Sequence, residues 1–188
     1  MSLKLHVKND IIVYDGKYIQ TIERHFRNRK TGYRGTWEMV KRKTYGRIVA
    51  VIALTPKKEV ILIKIFRIPF KCRIIEACAG LMDKKGESEP DMARRELLEE
   101  TGYEVSRLRK LVSGPFNTSM LEDEIVYYLG TGARKIQEPE LEDAEDIEVL
   151  KIPLKKLRTF LLHPPRGVKA DVKLFGILHL LKSKVPIR

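Results

Sequence analysis

The chain has 188 residues, 43% of them hydrophobic, which is enough for one sizeable core and too few for two large independent domains. No run approaches the roughly 18–20 uninterrupted apolar residues of a membrane helix, and the start, Met1-Ser2-Leu3-Lys4-Leu5-His6, lacks the apolar stretch of a signal peptide, so a cytoplasmic protein is expected. The net charge of +12 is uneven: residues 1–75 hold 18 Lys and Arg against 5 Asp and Glu, and residues 121–148 hold 10 acidic against 2 basic. That pattern suits a phosphate-bearing ligand brought in with a divalent metal, although a solvated basic surface or a nucleic-acid-binding face carries the same signature.

Residues 10–24 and 34–43 read as short strands joined by the basic turn Asn28-Arg29-Lys30-Thr31-Gly32, a small antiparallel unit. The β-branched runs 48–54 and 60–65 flank Thr55-Pro56-Lys57-Lys58-Glu59 and predict a buried hairpin where the core begins. A strand at 73–78 leads through a Gly- and Lys-rich loop, 80–86, to a helix. Ser88 is its N-cap, Pro90 and Asp91 suit the first turn, and Gly102 follows the last helical residue, Thr101. Strands follow near 107–113, 124–130 and 146–152, the last two separated by a loop of more than ten residues, a length that is usually functional or disordered. Helices near 153–162 and 170–183 close the chain. In the second, Val172, Phe175, Ile177, Leu178, Leu180 and Leu181 form a wide apolar face for packing on the sheet. Cys72 and Cys78 fit neither a disulfide framework nor a zinc site and read as small buried apolar residues.

The helix ending at Thr101 carries the chemistry-bearing pattern. Glu96 and Glu100 lie one turn apart and Glu99 is three residues from Glu96, so three carboxylates share one edge. A solvated helix tolerates their repulsion, which is only a few tenths of a kcal/mol, about 0.2–0.5 per pair. A hard divalent cation gives the ladder a purpose, because Mg2+ prefers carboxylate, carbonyl and phosphate oxygens.

Gly80, Glu87 and Arg95-Glu96-Leu97-Leu98-Glu99-Glu100-Thr101-Gly102-Tyr103 together resemble the Nudix box, written Gly, five residues, Glu, seven residues, Arg-Glu-apolar-any-Glu-Glu-any-Gly-apolar. Every fixed residue is present. One departure stands: six residues separate Gly80 from Glu87, and the loop Asp83-Lys84-Lys85-Gly86 has to absorb the extra one. The resemblance implies that Glu96 and Glu100 are the principal metal ligands, supported by Glu99, the Ala79 carbonyl and, more weakly, Glu87. It implies that Arg95 orients a box glutamate, and that the cofactor is Mg2+, with Mn2+ the alternative.

Beyond the box, Thr36-Trp37-Glu38-Met39-Val40-Lys41-Arg42, Phe66-Arg67-Ile68-Pro69 and Ile75-Glu76-Ala77-Cys78-Ala79-Gly80-Leu81-Met82-Asp83 are similar to the ADP-ribose and ADP-sugar pyrophosphatase branch, with Cys78 where that branch commonly has Pro. The likeness implies that Trp37 stacks on the base across a domain-swapped homodimer and that Arg42, Arg67 and Glu76 bind substrate. A lone Trp is otherwise more often a core residue. Glu145, in Glu145-Asp146-Ile147-Glu148-Val149, resembles the branch's general base, with Glu142 next. Ser113-Gly114-Pro115-Phe116-Asn117-Thr118-Ser119 departs from the branch's Ser-Pro-Gly-Phe-Ser, in a region that helps choose the sugar.

The fold expected is α+β, a Nudix α/β/α sandwich with a mixed sheet, in which residues 1–45 are an N-terminal, dimer-forming β unit and residues 46–188 the catalytic domain. The reaction expected is metal-dependent hydrolysis of a nucleoside diphosphate sugar, ADP-ribose giving AMP and ribose 5-phosphate. The rivals are hydrolysis of GDP-mannose or a UDP-sugar, and a non-catalytic nucleotide- or RNA-binding module. No membrane or nucleic-acid partner is expected.

Overall fold

A computed structural model describes residues 4–184. The Met1-Ser2-Leu3 portion of the leader reading and the last four residues of the expected second unit lie outside them. The first three strands, β1 (Leu5–Asp15), β2 (Ile19–Asn28) and β3 (Arg34–Arg42), form an antiparallel sheet in that order. The region read as one strand over 10–24 is therefore two, broken at Gly16, whose N–H donates to the Ile19 carbonyl (2.9 Å). The Asp15-Gly16 pair is the local turn signal there. The second turn forms as expected: Asn28 Oδ1 accepts from the Lys30 and Thr31 amides and Gly32 takes φ 77°.

The larger sheet contains β4 (Ile48–Leu54), β5 (Glu59–Arg67), β6 (Cys72–Glu76), β7 (Cys78–Leu81), β9 (Arg107–Pro115), β10 (Glu124–Thr131), β12 (Ile147–Pro153) and β13 (Val168–Ala170); β8 (Tyr103–Glu104) and β11 (Arg134–Lys135) pair separately. Its order is β13-β6-β5-β4-β10-β9, with β12 on β5 and β7 on β4, and it is mixed, β4–β10 and β6–β13 being parallel. The expected hairpin of β4 and β5 is real but short, pairing only at Ala53↔Ile61 and Leu54↔Val60. Beyond those pairs the strands part, β4 running on against β7 and β5 against β6. The strand expected at 73–78 is thus split at Ala77 between two partners.

Helices cover both faces. α1 (Glu89–Thr101) packs Met92, Ala93 and Leu97 against Val49, Val51, Cys78 and Val126. α2 (Leu154–Leu162) and α3 (Lys173–Lys184) cover the other face, where Leu157, Leu161, Leu174, Ile177, Leu178 and Leu181 meet Ala50, Leu62, Ile75 and Leu129. Val172 does not join that apolar face: it precedes α3 and is 76% exposed, because β13 and Asp171 delay the helix start. Cys78 is buried as expected, whereas Cys72 is only half-buried at the start of β6.

Local chemistry sets the ends of α1. The Ser88 hydroxyl accepts from the Asp91 amide (3.3 Å), Pro90 sits in the first turn, and Glu89 and Asp91 complement the positive helix end. Gly102 ends the helix at φ 72°, its N–H donating to the Leu98 carbonyl, and a Cβ there would stand 2.1 Å from the Gln137 carbonyl oxygen. Gly102→Ala should therefore cost at least ~2 kcal/mol, left-handed strain plus displacement of the 132–146 loop. Urea unfolding measures it; a loss below about half a kcal/mol, the usual size of a surface change, would contradict this account.

Candidate active site

Arg95 is the hub of the acidic helix. Its Nε and Nη2 donate to both oxygens of Glu87 (2.8 and 2.9 Å), and its Nη1 lies 2.7 Å from Glu96 and 2.8 Å from Glu99. Glu87 is thus the bidentate partner of Arg95 despite the extra loop residue. The same guanidinium holds the Glu87 carboxyl below its usual range.

Among the described residues no cation forms an ion pair with Glu100, Arg67 acting on it only at longer range. The Glu100 side chain is buried under β7, where Oε2 accepts from the Ala79 amide (3.2 Å). Burial pushes its carboxyl up to about 8, the nearby charges of Glu96 and Glu145 adding to the rise while the Cys78 and Ala79 hydrogen bonds oppose it. Burial likewise raises Glu96 to about 7, partly offset by Arg95. Gly80 makes this approach feasible, since a Cβ there would lie 2.3 Å from the Glu96 carboxyl carbon.

Among the described residues no three His, Cys, Asp or Glu side chains are disposed to hold a metal ion as they stand; Arg95 bridges Glu87, Glu96 and Glu99 instead. The donor chemistry nevertheless fits a hard cation. Glu96 and Glu100 are carboxyl groups taken out of water without enough positive charge to match, and a divalent ion held there would supply that charge.

A cavity of about 740 Å³ lies where β4 and β5 part, on the α2/α3 side of β7. Arg42, Arg67, Glu76 and Ala79 of the expected set line it, with Gly80 and Leu81. Arg67 grips Glu76 through two hydrogen bonds (3.1 and 2.7 Å) and is thereby held more firmly protonated. The box glutamates do not line the cavity; the β7 backbone at Ala79 and Gly80 is the wall between them and it.

The 132–146 loop is tied to the end of α1, the Glu140 amide donating to the Glu99 carbonyl (2.8 Å) and the Ile136 amide to Gly102 (2.9 Å). This brings Glu145 within electrostatic reach of Glu100 and Arg67. Its carboxylate accepts from the Glu142 amide (3.0 Å), while Glu142 itself is exposed. Trp37 lies apart from the cavity in a shallow groove with Arg24 and Thr118, Nε1 donating to the Ser119 carbonyl (2.8 Å) and the ring 52% exposed. A single chain does not bring Trp37 to Arg67.

Sequence reasoning missed the far wall of the cavity: Phe70, Tyr127, Lys169, Asp171 and Lys173. The strand that carries Lys169, Val168–Ala170, is only three residues long, too short for alternation to register, and the sequence reading placed no strand there.

Because Glu100 is raised from 4.5 to about 8, its favourable protonated state is fully present below 4.5, and the stability it gives is lost as pH climbs to 8. In EDTA, wild-type protein should lose stability relative to Glu100→Gln between about pH 5 and pH 8, with no further divergence above. Parallel thermal melts across that window would refute the burial assignment.

The NUDIX domain model matches residues 44–174. The chain is 39% identical over 110 residues to an ADP-ribose pyrophosphatase of Bacillus subtilis (strain 168), covering 57% of this chain and 58% of that one, so it spans less than two thirds of that relative's length. It is 28% identical over 170 residues to a GDP-mannose pyrophosphatase of Enterobacter sp. (strain 638), covering 83% and 85%. A solved structure described as an ADP compounds hydrolase superposes with a TM-score of 0.81 at 19% identity over 98% of both chains, a likeness of fold. With the family model spanning more than half of the residues and the box helix packed on a mixed sheet, the chain belongs to the NUDIX domain family.

Proposed function

We propose that this chain hydrolyses the diphosphate of a nucleoside diphosphate sugar, ADP-ribose and water giving AMP and ribose 5-phosphate. The observation that carries the reading is the single strand β7, with desolvated Glu96 and Glu100 on one side and an arginine-bearing cavity on the other. Mg2+, or Mn2+, held by Glu96, Glu100 and Glu99 with the Ala79 carbonyl, would neutralise the diphosphate and favour ionisation of water. Arg67 and Arg42 bind diphosphate and ribose oxygens, Glu76 fixing the plane of the Arg67 guanidinium. Arg95 orients the glutamates it bridges. Glu145 accepts the proton of the water whose oxygen bonds to phosphorus as the bridging P–O bond breaks.

Trp37 serves the base of a substrate bound in a second copy. That role needs a homodimer through residues 1–45, and the exposure of Val7, Ile11, Val13 and Tyr14 along β1 supports one. The substrates named for the two relatives, ADP-ribose and GDP-mannose, are the first to separate.

Incubated with Mg2+ and a panel of ADP-ribose, GDP-mannose and UDP-glucose, the protein should release a nucleoside monophosphate and a sugar phosphate, ADP-ribose fastest, and EDTA should stop it. Binding without metal-dependent turnover of any of them would leave a nucleotide-binding module instead.

Glu145→Gln should lower kcat by about 10²–10⁴ with KM little changed, the range expected for loss of a general base. A kcat within about threefold of wild type, small against that range, would move the role to another residue of the acidic loop.

A further inference from the structure

Four cationic side chains line the cavity, Arg42, Arg67, Lys169 and Lys173. Three have a carboxylate of their own: Arg42 lies 2.7 Å from Asp123, Arg67 2.7 Å from Glu76 and Lys173 2.6 Å from Asp171. Lys169 has none among the described residues. Its Nζ stands 5.4 Å from the centroid of the Phe70 ring.

Both partners are delivered to the mouth of the cavity by fixed backbone. Lys169 is on β13, in parallel register with Ile74 of β6, itself a lining residue. Phe70 ends the one-turn helix Ile68–Phe70, which closes on Lys71 at φ 50°, a left-handed conformation uncommon outside glycine. The turn leaves the Phe70 ring 60% exposed. A ring face holds an ammonium by a weak electrostatic attraction and offers its three N–H donors no acceptor of hydrogen-bonding strength. A phosphoryl oxygen offers both charge and acceptor, so it draws the ammonium from the ring, and the stem is long enough to follow.

We propose that Lys169, kept at the cavity mouth by Phe70, takes a phosphoryl group of the bound nucleotide and sets the preference of this cavity for phosphorylated ligands. This rests on the nucleotide reading above and adds to it the cation that is not already committed to a carboxylate. Arg67 and Arg42 come with charge-matched partners and confer direction more than net attraction; Lys169 brings the unmatched charge. Phe70 acts through Lys169 and is a positioning residue.

Isothermal titration calorimetry on the full chain in EDTA at low salt, with ADP, inorganic pyrophosphate and adenosine, tests this without requiring turnover. Lys169→Gln should weaken ADP and pyrophosphate about tenfold, the size of one charge-assisted hydrogen bond, and leave adenosine within about twofold. Lys169→Arg should retain most of the affinity, and raising the salt should shrink the gap between wild type and Lys169→Gln. Phe70→Leu should weaken ADP less than Lys169→Gln does and should have no further effect in the double variant. Equal losses for ADP and adenosine, no loss for ADP, or a wild type that binds ADP no better than adenosine would each overturn the proposal. If ADP binding depends on Lys169 but no nucleotide sugar is cleaved with Mg2+, the hydrolase reading fails and this one stands. If cleavage proceeds while Lys169→Gln binds ADP like wild type, the reverse holds.

Discussion

The rest of the site depends on keeping the Glu100 carboxyl buried beneath a β-strand, with no ion-pair partner among the described residues. Viewed along the helix, the cost of a glutamate ladder is like-charge repulsion, a few tenths of a kcal/mol, about 0.2–0.5 per pair. In the folded chain that is the minor effect. Displacing the Glu100 carboxyl from 4.5 to about 8 corresponds to something on the order of 5 kcal/mol against ionisation, and burial is its first cause. A domain whose whole stability is about 5–15 kcal/mol carries such a residue only where the burial serves something other than folding. The neighbouring Glu96, raised for the same reason, shows that the deficit is shared across one turn of helix.

Strand β7 turns that deficit into a directional feature. It pairs with β4 because β4 and β5 separate after two residue pairs, and that separation also opens the cavity on the opposite face. Its Ala79 amide reaches Glu100 and its Gly80 gives way to Glu96, so beyond the small Cys78 side chain the strand turns backbone toward the glutamates. A ligand in the cavity and a cation at the glutamates would thus meet across one layer of peptide. Arg95 complements this from outside, occupying Glu87, Glu96 and Glu99 together and leaving Glu100 as the box glutamate it does not bridge.

What was legible in the sequence follows from how local each determinant is. The limits of α1 were readable because Ser88, Pro90 and Gly102 act within a turn of their own positions. The central strands β4 and β5 were readable from their β-branched runs, and the mixed character of the sheet came from the family resemblance. The division of 73–78 into two strands was not, because Ala77 is unremarkable by composition and the break arises from the partners on either side. Residues 10–24 concealed a turn because Asp15-Gly16 is a signal of only two residues inside a stretch where polar and apolar residues are mixed without a regular period. In the site, Arg95, Glu96 and Glu100 were visible from helical spacing and family resemblance. Phe70, Tyr127, Lys169 and Lys173 come from four separate elements, and no spacing along the chain records that they converge. Trp37 was singled out as a ligand platform, and its hydrogen bond to Ser119 gives the same ring a docking contact within the chain.

That docking contact bears on how charge is used. The net charge of +12 suggests an attractive field for phosphate, yet Arg42 and Arg67 reach the cavity already neutralised by Asp123 and Glu76. Such pairing fixes the guanidinium planes at the expense of net attraction, so it favours orientation over long-range capture. For Arg42 the fixing is inherited from farther away. The 117–123 segment holds the N-terminal sheet through the Ser119 carbonyl on Trp37, the Met120 carbonyl on the Val40 amide and Glu122 on Arg24, and then offers Asp123 to Arg42. A shift of that sheet would move a cavity arginine with it. The geometry of the small N-terminal unit and the shape of the cavity are therefore one mechanical problem, solved by the same seven-residue segment.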